Sequence, residues 1–170
     1  MGTRGEPRGD SPAGQGCWHL EDEQSTERLG ARLAKAAPPG LVIYLQGELG
    51  SGKTTLVRGF LRRLGHQAKV RSPTYTLVEA YRFDNAVVYH LDLYRLADPA
   101  ELDAIGVRDC FDGQAMTLVE WPERGGSRLA PPDLRVRLSY APSGRDAAVQ
   151  AFTERGFKTL EALSRGDNSV

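Results

Sequence analysis

The segment Gly47-Glu48-Leu49-Gly50-Ser51-Gly52-Lys53-Thr54 constrains this chain more than any other. It fits the pattern G-x-x-x-x-G-K-[ST], a phosphate-cradling loop. Its flanks agree with that reading. The short apolar run Leu41–Gln46 has the character of a buried strand. A helix is expected over Lys53–Leu64, with Leu56, Val57, Phe60 and Leu64 on one face and Gly65 as its stop. Glycines let the loop backbone aim several N–H groups inward at phosphate oxygens. The helix adds its positive N-terminal end. In this pattern Lys53 supplies charge to the β- and γ-phosphates, and the Thr54 hydroxyl ligates Mg²⁺. Lys53 is expected to face solvent at the helix start.

The rest of the chain reads as one α/β domain over residues 17–165. Met1–Gly16 holds almost nothing that can be buried, so it is expected to be a disordered tail. Residues 166–170 form a second tail. Cys17–Leu20 opens the fold as an extended piece. A helix follows from about Asp22 to Ala37, its stripe made by Thr26, Leu29, Gly30, Leu33, Ala34 and Ala37, and Pro38, Pro39 and Gly40 stop it. Thr76–Phe83 and Ala86–Leu91 are β-rich and meet at Asp84-Asn85, which predicts a hairpin. Asp98-Pro99-Ala100-Glu101 predicts a capped helix of two turns reaching Ile105 and ended by Gly106. Met116–Val119 is a buried strand, and the alternation of Leu134, Val136, Leu138 and Tyr140 predicts another over Asp133–Tyr140. Pro142–Arg145 turns, Asp146–Phe152 is the last strand, and Phe157–Leu163 is a closing helix.

Two acids stand where strands should emerge. Asp92 follows Val87-Val88-Tyr89-His90-Leu91, and Glu120 follows Met116-Thr117-Leu118-Val119. A P-loop enzyme places such an acid beside its metal, and Mg²⁺ would offset the repulsion between two of them. Asp92 is expected to anchor metal-dependent binding and Glu120 to serve turnover. Ser72-Pro73-Thr74 is a turn with two hydroxyls, placed to carry one toward the γ-phosphate or the attacking water. Tyr94-Arg95 and Trp121 follow the acids as rim residues. His90 is read as a hydrogen-bonded strand residue.

Composition bounds the remaining options. The 22 Lys+Arg balance 22 Asp+Glu, which argues against a broad polyanion-binding surface. No apolar run reaches the roughly 20 residues that span a bilayer, and the first residues lack an apolar leader core. Cys17 and Cys110 form no metal or disulfide spacing, so a reducing cytoplasm is the expectation.

Several segments together resemble one family. They are GELGSGKTTLVRGFLRRLGH at Gly47–His66, SPTYTLVEAY at Ser72–Tyr81, YHLDLYRLADPAEL at Tyr89–Leu102, GVRD at Gly106–Asp109 and LVEWPE at Leu118–Glu123. In order and spacing the chain closely resembles the bacterial ATPase family of tRNA threonylcarbamoyladenosine biosynthesis, called TsaE and formerly YjeE. The resemblance covers roughly residues 18 to 165. It implies a three-layer P-loop NTPase-type sandwich with a mixed, mostly parallel sheet, and slow hydrolysis of ATP with Mg²⁺. It also implies partner subunits of the actin/sugar-kinase type, which form the threonylcarbamoyl-transferase acting on tRNAs that read ANN codons. This subunit would touch tRNA only indirectly. The resemblance carries nucleotide binding onto Gly47, Glu48, Leu49, Gly50, Ser51, Gly52, Lys53, Thr54 and Thr55. It makes Thr54 and Glu120 magnesium positions, Asp92 the Walker B acid and metal neighbour, and Thr74 part of the switch. Trp121 would lie beside the nucleotide, with Glu23 and Gln24 near adenine. Small-metabolite and nucleoside kinases also use a P-loop, and Glu123–Arg128 would serve as their arginine-bearing lid. A nucleotide-gated assembly subunit, with hydrolysis incidental, is a third reading.

Overall fold

A computed structural model describes residues 14–166. The chain runs β1 (Gln15–Leu20), α1 (Glu23–Ala36), β2 (Val42–Gln46), α2 (Lys53–Arg63), β3 (Val78–Arg82), β4 (Val87–Asp92), α3 (Glu101–Ala104), β5 (Met116–Glu120), β6 (Leu134–Tyr140), β7 (Arg145–Ala151) and α4 (Glu154–Arg165). The seven strands form one mixed sheet in the order β1-β7-β6-β2-β5-β4-β3. Three pairings are parallel, β6–β2, β2–β5 and β5–β4. The other three, β1–β7, β7–β6 and β4–β3, are antiparallel. The sheet therefore has a parallel centre with antiparallel edges, and parallel pairings are half of the total where most were expected.

Side-chain alternation gives each sheet face its own core. On one face Ile43, Leu45, Val88, Leu118, Val136 and Val149 pack with Leu29, Leu33, Leu56, Phe60 and Leu160 of the long helices. On the other, Leu91, Leu93 and Val119 pack with Leu102, Val107 and Cys110 of the segment that joins β4 to β5. The strand ends that carry the acids are thus gripped from both sides.

Helix α1 starts at Asp22, whose carboxylate accepts the Ser25 N–H at 2.7 Å. It lies directly on α2. A Cβ at Gly30 would stand 2.0 Å from the Leu56 carbonyl oxygen, and one at Gly59 would stand 2.0 Å from the Glu27 carbonyl oxygen. Only residues without a Cβ permit that approach. Around it, Glu27 accepts from Arg58 and Arg62 at 2.8 Å each, and Arg58 also reaches Glu23.

Three boundaries depart from the sequence reading in ways that matter for the fold. Gln15 and Gly16, assigned to the tail, pair with Gln150 and Val149. The free edge of β7 binds backbone, so the strand extends past the last apolar side chain. Gly14 accepts the Ala151 N–H at 2.9 Å, while residues 1–13 of the proposed N-terminal tail lie outside the described residues, as does its C-terminal counterpart beyond Gly166. The expected two-turn helix is a single turn, α3. Its cap forms, with Asp98 accepting from the Ala100 N–H and Glu101 from the Asp98 N–H, at 2.9 Å each. Leu102 is its one buried residue, and the chain then turns at Gly106 to bury Val107 and Cys110. Finally, β3 begins at Val78, because Leu77 adopts φ 66° and its N–H closes a turn onto the Pro73 carbonyl at 2.7 Å.

Candidate functional site

The loop between β2 and α2 needs its glycines. Gly52 caps α2 with φ 108°. Gly47 has φ 151°, and a Cβ there would meet Ser51 Oγ at 2.4 Å and the Leu138 carbonyl oxygen at 2.5 Å. Lys53 is buried, with 5% of its surface exposed, rather than facing solvent. Its Nζ donates to the carbonyl oxygens of Gly47 at 2.7 Å and Glu48 at 2.9 Å, and lies 4.5 Å from the centre of the Trp121 ring. Burial pushes its ammonium below the ordinary lysine range, against the pull of the nearby Glu120, Asp92 and Glu123 carboxylates. The lysine thus folds back onto its own loop, a contact that distant Trp121 completes.

Asp92 and Glu120 end adjacent parallel strands and are register partners. They are 4% and 3% exposed. Their hydrogen bonds separate them. Glu120 Oε1 accepts the Thr54 hydroxyl at 2.8 Å and faces His90 Nε2 at 2.9 Å. Asp92 Oδ2 accepts the Ser72 hydroxyl and, at 3.4 Å, that of Thr74. Its Oδ1 accepts the Tyr94 N–H at 3.0 Å. The Ser72 and Thr74 hydroxyls are themselves 2.9 Å apart. One acid is therefore tied to the P-loop helix, and the other to the Ser-Pro-Thr turn.

These groups line a cleft of about 250 Å³ bounded by Leu49, Gly50, Gly52, Lys53, Thr54, Thr55, Ser72, Thr74, Asp92, Tyr94, Glu120 and Trp121. A second cleft, about 360 Å³, adjoins it through Gly50, Gly52 and Thr55. Its other walls are Leu20–Glu23, Thr26, Ser51, Gly144 and Arg145. Glu23 thus lines a cleft beside the loop, while Gln24 lines neither. Tyr94, read from sequence as a rim residue, is a wall residue, and so are Ser72, Thr26 and Arg145, to which the sequence assigned no individual site role. The Ser-Pro-Thr turn pointed toward Ser72. No local signal pointed to Arg145, which reaches the site from the β6–β7 hairpin.

Trp121 adopts φ 56°, a left-handed conformation unusual for a bulky residue. It packs at a tilt against Tyr94, 5.1 Å between ring centres. Arg124 lies over both rings, at 5.6 and 5.9 Å. Arg95 stacks on exposed Tyr75 at 4.5 Å. The Glu123–Arg128 segment proposed as a kinase lid folds into short 3-10 turns, with Arg128 on Asp103 at 3.4 Å, and it lines neither cleft.

The donor set fits a hard divalent cation. Among the described residues no group of three or more His, Cys, Asp and Glu is arranged to hold a metal. A hydroxyl and two carboxylates, with phosphates and water completing the sphere, suit Mg²⁺, which keeps much of its water. Among the described residues no helix is long and apolar enough to cross a membrane.

The comparisons with known proteins agree with one another. A family model described as threonylcarbamoyl adenosine biosynthesis protein TsaE matches residues 20–147. A Haemophilus influenzae protein named tRNA threonylcarbamoyladenosine biosynthesis protein TsaE is 42% identical over 151 residues, covering 86% of this chain and 96% of its own. A Bacillus subtilis protein of the same name is 35% identical over 154 residues, covering 89% and 95%. A crystal structure of Bacillus subtilis YdiB matches with a TM-score of 0.79 at 30% identity, covering 94% of this chain and all of that one. The matched span includes the phosphate loop, the Ser-Pro-Thr turn and both acids, and the chain belongs to the TsaE family.

Proposed function

We propose that the chain is a magnesium-dependent ATPase supporting formation of threonylcarbamoyladenosine in tRNAs that read ANN codons. It works in the cytoplasm beside threonylcarbamoyl-transferase subunits of the actin/sugar-kinase type. On this reading the sheet and its two covers are a three-layer P-loop sandwich. The observation that carries the chemistry is the meeting of Lys53, Thr54, Asp92 and Glu120 in one cleft at the phosphate loop. The names of the relatives supply the pathway.

The cleft beside Trp121 takes the phosphates, and the adjoining one takes ribose and base. Lys53 leaves the Gly47 and Glu48 carbonyls for the β- and γ-phosphate oxygens. Thr54 and Glu120 are the residues that would hold Mg²⁺ directly, with Asp92 beside them acting through water; when bound, the ion would supply positive charge to the phosphoryl oxygens. The Ser72 and Thr74 hydroxyls, held on Asp92, orient the attacking water. Its oxygen bonds to the γ-phosphorus as the bond to the bridging oxygen of ADP breaks. Arg95 and Arg124 are engaged with aromatic rings. Transition-state charge then lacks an arginine until a partner supplies or releases one, so hydrolysis by the chain alone is slow.

Two measurements test this. Lys53→Ala should fold, because it removes a poorly solvated charge, yet lose productive ATP binding in a calorimetric titration. Wild-type affinity in that variant refutes the phosphate-loop assignment. The purified chain should hydrolyse ATP well below the ordinary kinase range of about 1–100 s⁻¹, and faster with the transferase subunits and tRNA. A rate within that range for the chain alone, or transfer of the phosphoryl group to a small metabolite, refutes the reading.

A further inference from the structure

His90 takes no part in the mechanism above, yet it is a fully buried polar group beside the site. It sits in β4 two residues before Asp92, so both side chains point to the same sheet face. It is 0% exposed. Its register neighbours are Glu79 on β3 and Leu118 on β5. Nε2 is 2.9 Å from Glu120 Oε1, and Nδ1 is buried with no hydrogen-bond partner among the described residues. An ionised carboxylate only accepts, so in this contact Nε2 is the donor.

This is a costly way to fill a strand interior. A leucine at this position would pack without an unpaired nitrogen, and an unsatisfied buried polar atom opposes folding. The imidazole's single bond goes to the oxygen that also accepts from Thr54. Those two donors, one from α2 and one from β4, occupy Oε1 from two directions. Among the described residues Oε2 accepts no hydrogen bond, and Glu120 lines the phosphate cleft. A glutamate held only by Thr54 would keep rotamer freedom that ordering at a metal must remove.

We propose that His90 is a positioning residue: by donating from Nε2 to Glu120 Oε1 it locks the carboxylate so that Oε2 faces the metal and phosphate site. The proposal rests on the ATPase reading above. It assigns His90 no proton transfer and no contact with nucleotide.

The test uses the full chain and three substitutions. His90→Leu removes the donor at similar volume. His90→Gln carries an amide N–H about as far out as Nε2, whereas the amide of His90→Asn ends near the Nδ1 position. Affinity for an ATP analogue is measured in EDTA and across a Mg²⁺ series. For His90→Leu the affinity in EDTA should stay near wild type, while the Mg²⁺ concentration giving half the metal-dependent gain rises about tenfold or more. His90→Gln should restore the wild-type midpoint, and His90→Asn should not. If the leucine variant fails to fold, the contrast between glutamine and asparagine decides alone. An unchanged midpoint in the leucine variant, or equal shifts in all folded variants, overturns the proposal. So does an imidazole ¹⁵N spectrum of the nucleotide-free protein placing the hydrogen on Nδ1. If wild type itself shows no magnesium-dependent binding, the ATPase reading falls first and this inference falls with it.

Discussion

Glu120→Gln and Asp92→Asn, made one at a time, should separate metal binding from turnover. The sequence alone suggested turnover for Glu120 and metal-dependent binding for Asp92. The hydrogen bonds point the other way. Glu120 is joined to the Thr54 hydroxyl, and Asp92 to the Ser72 and Thr74 hydroxyls of the Ser-Pro-Thr turn. Each amide keeps the shape of the acid and can still accept, so the loss is one of charge. A hydrogen bond to an ionised group is worth about 1.5–3 kcal/mol against about 0.5–1.5 for a neutral one, roughly 1 kcal/mol per bond. Two bonds weaken at Glu120, a cost near 2 kcal/mol, and removing one of two adjacent negative charges offsets part of it. Both variants should therefore fold. Glu120→Gln should lower magnesium-dependent ATP affinity about 10–100-fold, as when a metal site loses one of its supports. Asp92→Asn should hold that affinity within about threefold and slow single-turnover hydrolysis about 100-fold or more, because the water-orienting hydroxyls lose a charged anchor. Magnesium titrations with a fluorescent ATP analogue and rapid-quench single turnovers read the two effects separately. If Asp92→Asn loses metal-dependent binding while Glu120→Gln retains it, the division of roles argued from these contacts is wrong.

Two further predictions concern the frame around the site. Gly59→Ala puts a Cβ 2.0 Å from the Glu27 carbonyl oxygen, so α1 and α2 must part; a loss of about 1–3 kcal/mol is expected in a denaturant titration, and an unchanged midpoint refutes the close-approach argument. Burial, aided by Asp109 and Asp112, pushes the Cys110 thiol up to about 11 from 9.0. Between those values the folded chain keeps a proton that the unfolded chain has lost, so this thiol's contribution is intact below pH 9 and declines as pH rises, by about 1.4 kcal/mol per unit. Cys110→Ala should flatten that decline in denaturant titrations from pH 8.5 to 10.5, and an identical slope in both proteins refutes it.

Local chemistry made much of the fold legible. The apolar run at β2, the glycine pattern after it and the stripe of Thr26, Leu29, Gly30, Leu33 and Ala34 each report their own element within a few residues, and those residues are buried on α1. The features that escaped depend on distant chain. Gln15 and Gly16 have no side chains that announce a strand; only the open edge of β7 gives them partners. The Asp98–Glu101 cap is present, but it reports where a helix starts and says nothing of where the chain must turn to bury Val107.

The site divides along the same line. Sequence placed Asp92 and Glu120 at strand ends, because an acid after an apolar run is a local pattern. It gave no access to their register, which sets them side by side across β4 and β5, nor to the separate partners that distinguish them. Those partners come from elsewhere in the chain, Thr54 from α2, His90 from β4 and Ser72 from the Ser-Pro-Thr turn. Lys53 shows the reversal most clearly. A lysine at a helix start reads as exposed. Here the Trp121 ring, set at the end of β5 by a left-handed backbone, covers it from the neighbouring strand. The motif therefore specifies which atoms can meet a phosphate. Tertiary contacts help decide where those atoms wait, so Lys53 is held by the Gly47 and Glu48 carbonyls of its own loop and covered by Trp121, which the motif does not contain.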